Sequence, residues 1–137
     1  MKNLLILMAF LGLTLSAQAQ VAVVVNKNVA ESSLPKETVK KIFELNQLRW
    51  GNGDKIAVFD MKGDGPSKDK FYEALGVSVS DLRKIWMRMQ LTGEAKAPKG
   101  VKSDAEVIQQ VSTTPGAIGF VMADQATDAV KVVLTLP

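Results

Sequence analysis

An α/β fold is what this sequence predicts: a central mixed sheet of about four or five strands, flanked by helices in two or three layers. Three observations carry that reading. Short apolar runs bounded by polar residues recur at Val21–Val25, Ile56–Phe59, Ala117–Val121 and Val130–Leu136, with the length and β-branched content of strands. Between them lie segments whose apolar residues return about one helical turn apart. The stretch Thr113 to Val121 reads as a helix end, a tight turn and a covered strand. Pro115 cannot continue a helix, and Gly116 and Gly119 mark points where a side chain is unwanted, for a turn or for close approach.

Residues 1–19 read as a leader outside the fold. Lys2 supplies a positive start, Leu4 to Leu15 an apolar run, and Ala17-Gln18-Ala19 a cleavage signal. The apolar run is short for a membrane span, which needs about 20 residues. One α/β domain over 20–137 is therefore expected, exported and periplasmic, with no membrane span in the mature chain. The chain has no Cys, so an exported domain of this kind relies on packing rather than disulfides.

Composition narrows the function. Net charge is +3, with Lys residues scattered among Asp and Glu. Without a basic stripe or an aromatic platform, nucleic-acid binding is not expected. The mild positive balance suits an anionic ligand. With no His and no Cys, the commonest general base, metal ligand and thiol nucleophile are missing. Ser67-Lys68-Asp69-Lys70 matches S-x-x-K, but its S-D-N and K-T-G partners are absent. No enzyme activity, cofactor or metal is expected.

In chain order, Val21–Asn26 is a strand covered on both faces, a pattern associated with parallel sheets. Ser33 reads as the N-cap of a helix with Pro35 near its first turn; Leu34, Thr38, Ile42 and Leu45 fall about one turn apart, and Val39 and Phe43 widen this inward stripe. Arg49 to Asp54 is a turn cluster leading into a strand over Ile56–Asp60. A glycine-bearing loop follows and opens into a helix over Ser67–Leu75. Ser80 caps the next helix, which turns Leu82, Ile85, Trp86 and Met89 inward. Ala95 to Lys102 is a Pro/Gly/Lys-rich connection with no period. Ser103 caps a helix that buries Val107, Ile108 and Val111. Asp124 to Asp128 is a short polar segment, and Val130–Leu136 is the last strand.

Four groups of residues line up in order: Leu34-Pro35-Lys36-Glu37 through Ile42-Phe43 to Trp50-Gly51-Asn52-Gly53; Asp60 to Tyr72; Trp86 to Leu91-Thr92-Gly93; and Ser103-Asp104 leading to Thr114-Pro115-Gly116-Ala117-Ile118-Gly119-Phe120-Val121. Together they resemble the phosphate-type substrate-binding proteins of ABC uptake systems, small members of the type II periplasmic-binding-protein-like group. The resemblance implies a single binding-protein lobe, a phosphate-like solute and an ABC permease as partner. Full-length relatives have two lobes of roughly 100–150 residues; this sequence has room for one, which a second copy of itself or another protein would complement. The relatives' loop arginine and Ser-Gly-Thr segment are also absent, the region reading Asp60-Met61-Lys62-Gly63-Asp64-Gly65-Pro66-Ser67-Lys68.

That loop is the candidate site, comprising Lys62, Gly63, Gly65, Ser67 and Lys68. It follows a strand's carboxyl end, where open α/β sheets bind ligands. A helix N-terminus offers unpaired N–H groups and positive potential, the glycines permit close approach, and Ser67, Lys62 and Lys68 add a donor and charge. Asp64 opposes a fully ionised dianion unless the ligand is protonated and donates to it. The alternative is a solvated turn with Asp64 as a helix cap. The expected function is thus binding of phosphate or a related oxyanion for ABC-type uptake. The alternative is a periplasmic interaction or structural module that keeps one lobe without transport. Trp50 is expected to pack beneath its turn rather than line a ligand mouth.

Overall fold

The computed structural model describes residues 19–137; the expected leader, except for Ala19, lies outside them. Five strands form one mixed sheet: β1 (Val21–Val25), β2 (Ala57–Met61), β3 (Lys99–Val101), β4 (Ala117–Met122) and β5 (Lys131–Leu136), in the order β3-β2-β4-β1-β5. Four helices accompany it: α1 (Lys36–Phe43), α2 (Pro66–Leu75), α3 (Val79–Leu91) and α4 (Asp104–Thr113). A short 3-10 turn, Ala123–Gln125, follows β4. The expected α/β class and mixed sheet are both present.

β2 runs parallel to β3 and β4, whereas β1 pairs antiparallel with both β4 and β5. This corrects the parallel pattern read from Val21–Val25. All five residues are buried, and an uninterrupted apolar run reports that both faces are covered, not which way the neighbours run.

The two faces are distinguished by successive residues of β4. Gly119 faces α4: a Cβ there would lie 2.8 Å from a Val107 methyl and 3.2 Å from one of Val111. Phe120 faces the other way and joins Phe43 of α1 with Phe71 and Tyr72 of α2. Phe71 and Phe120 stack with centroids 4.1 Å apart and planes 11° from parallel. The result is a helix–sheet–helix arrangement whose core includes β1, β4 and this aromatic cluster.

Gly116 has both properties expected of it. Its φ is +74°, and a Cβ would sit 2.5 Å from the Lys55 carbonyl oxygen. Trp50 is buried and donates its indole N–H to the Gly116 carbonyl at 2.9 Å, a packing role beneath the turn. Asn26 donates from its side-chain amide to the carbonyls of Val111 and Ser112 at 2.8 and 3.2 Å. Asn28 accepts from the Gly116 N–H at 3.1 Å. These two asparagines thereby satisfy the C-terminal end of α4 and the turn after it, groups that would otherwise lack partners.

Several boundaries differ from the sequence reading. Pro35, not Ser33, occupies the N-cap of α1, with no side-chain cap. Ser78, not Ser80, caps α3 by accepting from the Asp81 N–H. Ser103 does cap α4, accepting from Glu106 at 3.1 Å. The connection read over Ala95–Lys102 contains β3, an edge strand too short to display a period.

Candidate functional site

The loop between β2 and α2 emerges from the carboxyl end of β2, beside β3. The Lys62 N–H donates to the Val101 carbonyl at 2.7 Å, extending the parallel pairing by one bond and fixing where the loop departs. The Lys62 stem lies across Gly100: a Cβ there would come within 2.5 Å of Lys62 Cγ. Gly100 therefore leaves the surface on which this lysine rests. Gly63 has φ of +72° with open space at its Cβ position, so backbone conformation is what favours glycine there.

Gly65 is the N-cap of α2 in an extended conformation, and no side chain caps the helix. Asp64, the alternative cap, is exposed in the loop. Pro66 occupies the first helical position, where the missing N–H costs nothing. The first intrahelical bond runs from the Asp69 N–H to the Gly65 carbonyl at 3.1 Å. Helix geometry leaves the N–H groups of Ser67 and Lys68 without intrahelical acceptors. They stand at the positive end of a ten-residue helix.

Ser67 and Lys68 are both buried, each at 4% exposure. The Lys68 ammonium donates to the Met61 carbonyl at 2.8 Å and lies 3.7 Å from Asp60 Oδ2. The other Asp60 oxygen accepts from the Tyr72 hydroxyl at 2.6 Å. Burial, reinforced by the Asp60 charge and this hydrogen bond, pushes the Tyr72 phenol far above its ordinary pKa. Asp60, Lys68 and Tyr72 thus form a buried polar group beneath the loop, tying the end of β2 to the first two turns of α2.

The structure brings Lys62, Gly63, Gly65, Ser67 and Lys68 into one continuous loop and helix start. It separates the two lysines: Lys62 is on the surface and Lys68 is turned inward. Sequence reading missed Asp60, Tyr72 and Gly100. A signal for Lys68 was available, since Lys68, Phe71, Tyr72 and Leu75 repeat the i, i+3, i+4, i+7 spacing of a buried helical stripe.

Chemically, the loop can present two main-chain donors, a serine hydroxyl and the exposed Lys62 ammonium to an oxyanion, while the Lys68 ammonium is held by Met61 and Asp60. Among the described residues no group of three or more acidic residues is placed to hold a metal ion. No helix among them is long and apolar enough to cross a membrane.

The fold is of the periplasmic-binding-protein type, and the sheet with its helices corresponds to a single lobe. Solved structures with this fold include an ABC-type phosphate transport receptor from Vibrio cholerae, at 19% identity and a TM-score of 0.67 over 84% of this chain and 45% of that one. A putative phosphate ABC transporter substrate-binding protein with bound phosphate, from Clostridium perfringens, gives 18% identity and a TM-score of 0.71 over 84% of this chain and 44% of that one. The PstS protein of Borrelia burgdorferi gives 20% and 0.64, over 84% and 46%. The chain spans less than half the length of these neighbours, and at this identity the likeness is one of fold. No protein-family model matches the chain, and no curated protein matches it either.

Proposed function

We propose that this chain is an exported, periplasmic solute-binding lobe, without enzymatic activity, that captures phosphate or a related oxyanion for ABC-type uptake. The observation that carries the reading is the β2–α2 loop itself. A glycine-bearing turn leaves the carboxyl end of a parallel strand and opens into a helix whose Ser67 and Lys68 N–H groups lack intrahelical acceptors. The fold shared with proteins described as phosphate receptors supports the choice of anion. Binding is non-covalent. The N–H groups and the Ser67 hydroxyl donate to ligand oxygens, and Lys62 supplies mobile charge from the surface. Lys68 contributes through its main chain and through the field of its buried ammonium. Asp64 accepts from a protonated ligand oxygen, which favours hydrogen phosphate over sulfate.

A permease subunit or a second copy of the chain would cover the open side of the loop. Isothermal titration of the protein with phosphate tests the reading. Saturable binding that weakens at least about tenfold in Ser67→Ala supports it, the scale expected when a donor to a charged ligand is removed. Binding that is absent, or indifferent to Ser67, contradicts it.

A second reading is a periplasmic interaction or structural module that keeps the lobe without transport. It is favoured by the inward turn of Lys68, whose ammonium already serves Met61 and Asp60. Its distinguishing result is a folded protein with no anion response.

A further inference from the structure

A groove of about 960 Å³ lies at the opposite end of β2 from the anion loop, beside Lys55–Phe59 and the segment that leads into β3. It exists because β3 is short. β3 pairs only with Phe59, Asp60 and Met61, while Ala57 and Val58 have a strand partner only on the β4 side. Leu48, Ile56, Val58, Ala95 and Ala97 give the groove an apolar floor. Leu48 is 41% exposed there, and Ile56 and Val58 are only half-buried although they sit in or beside the sheet. The rim carries Arg49, Lys55, Lys96 and Lys99 against a single acid, Glu94. Arg49 donates to the Gly53 carbonyl at 2.9 Å. Among the described residues, the three lysines make no ion pair.

We propose that this groove binds a long-chain carboxylate, with the acyl chain on the apolar floor and the head group against the lysine rim. The volume falls within the usual range for small-molecule sites, roughly 300–1,000 Å³. An apolar surface ringed by unpaired cations matches a ligand with an apolar body and an anionic end. An extended peptide fits less well. The Ile56 N–H already donates to the Leu48 carbonyl at 3.0 Å, and Phe59 is paired with Lys99. Only Ala57 and Val58 remain for strand addition, whereas an acyl chain requires no hydrogen bonds along its length.

Calorimetric titration of the protein with submicellar dodecanoate tests the proposal, with dodecyltrimethylammonium as the same tail bearing the opposite charge. Saturable one-to-one binding of dodecanoate is expected. The cationic amphiphile should bind at least about tenfold more weakly, as should dodecanoate to a Lys55→Glu/Lys99→Glu double variant with an unchanged circular dichroism spectrum. Leu48→Gln, an exposed change on the floor, should weaken dodecanoate while leaving any phosphate response intact. Absence of saturable dodecanoate binding overturns the proposal, as does equal binding of the two amphiphiles or indifference to the charge reversal. Binding of hexaglutamate in place of dodecanoate also overturns it and makes the groove a site for acidic peptides.

Discussion

The Tyr72 hydroxyl donates to Asp60 Oδ1 at 2.6 Å, and both side chains are buried beneath the loop proposed to hold the anion. Lys68 lies 3.7 Å from the second carboxylate oxygen. The carboxylate is therefore served by one neutral donor and one cation, and the cation also holds the Met61 carbonyl. Buried polar groups are retained at low cost only when their partners are in place. The end of β2 and the start of α2 are consequently joined as one unit.

Tyr72 makes this unit sensitive to alkali. Burial and the adjacent Asp60 raise the phenol's pKa in the folded protein, whereas the unfolded chain titrates near pH 10. The folded state thus holds its proton where the unfolded state releases it. Its contribution is intact below about pH 10 and declines above it by about 1.4 kcal/mol per pH unit. Tyr72 is the only tyrosine in the chain, so phenolate absorbance reports it alone. The absorbance should rise together with unfolding, not before it. Tyr72→Phe should remove this component of the alkaline stability loss. A phenolate signal rising near pH 10 with the fold intact would contradict the buried arrangement.

The two lysines of the loop should behave differently in urea unfolding. Lys68→Met deprives Asp60 of its cation and Met61 of a donor, and should cost about 2–3 kcal/mol. Lys62→Met changes an exposed side chain and should stay within about 0.5 kcal/mol. Equal losses would contradict the division between an inward and an outward lysine.

Much of the fold was legible in the sequence, for identifiable reasons. Val21–Val25 and Ala117–Val121 are continuous apolar runs, and Gly116 and Gly119 lie where a side chain would strike Lys55 and Val107 respectively. Strand direction was not legible, because burial of β1 between β4 and β5 leaves the same apolar run whichever way its neighbours point. β3 escaped notice because Lys99, Gly100 and Val101 form an edge strand with an exposed, a half-buried and a buried residue. The loop was legible from Gly63, Gly65 and Ser67. Inward placement of Lys68 was legible only in its i, i+3, i+4, i+7 spacing to Phe71, Tyr72 and Leu75; residue type pointed outward, because lysine is ordinarily exposed and its partner Asp60 lies on another element.

Gly116→Ala should be more damaging than a surface change. The substitution places a Cβ 2.5 Å from the Lys55 carbonyl at a φ of +74°, so steric conflict and left-handed backbone strain act together. A loss of about 2–4 kcal/mol is expected in chemical denaturation. A neutral result would show that the Trp50–Gly116 turn relaxes freely.

Asp64 should govern anion selectivity. It is exposed in the loop and bears negative charge, so it opposes anions that cannot donate a hydrogen bond to it. Replacing it by Asn should narrow a preference for phosphate over sulfate by roughly tenfold in competitive titration at near-neutral pH. An unchanged ratio would place the ligand away from Asp64.

Thermal unfolding with and without millimolar phosphate, at matched ionic strength, tests oxyanion binding most directly. A ligand that binds only the native state stabilises it by about 2.7 kcal/mol at a hundredfold excess over Kd. A rise in Tm with phosphate that disappears in Ser67→Ala is the predicted result. An unchanged Tm with phosphate, sulfate and related anions, from a protein that unfolds cooperatively, would contradict autonomous oxyanion capture and leave the interaction module as the reading of this lobe.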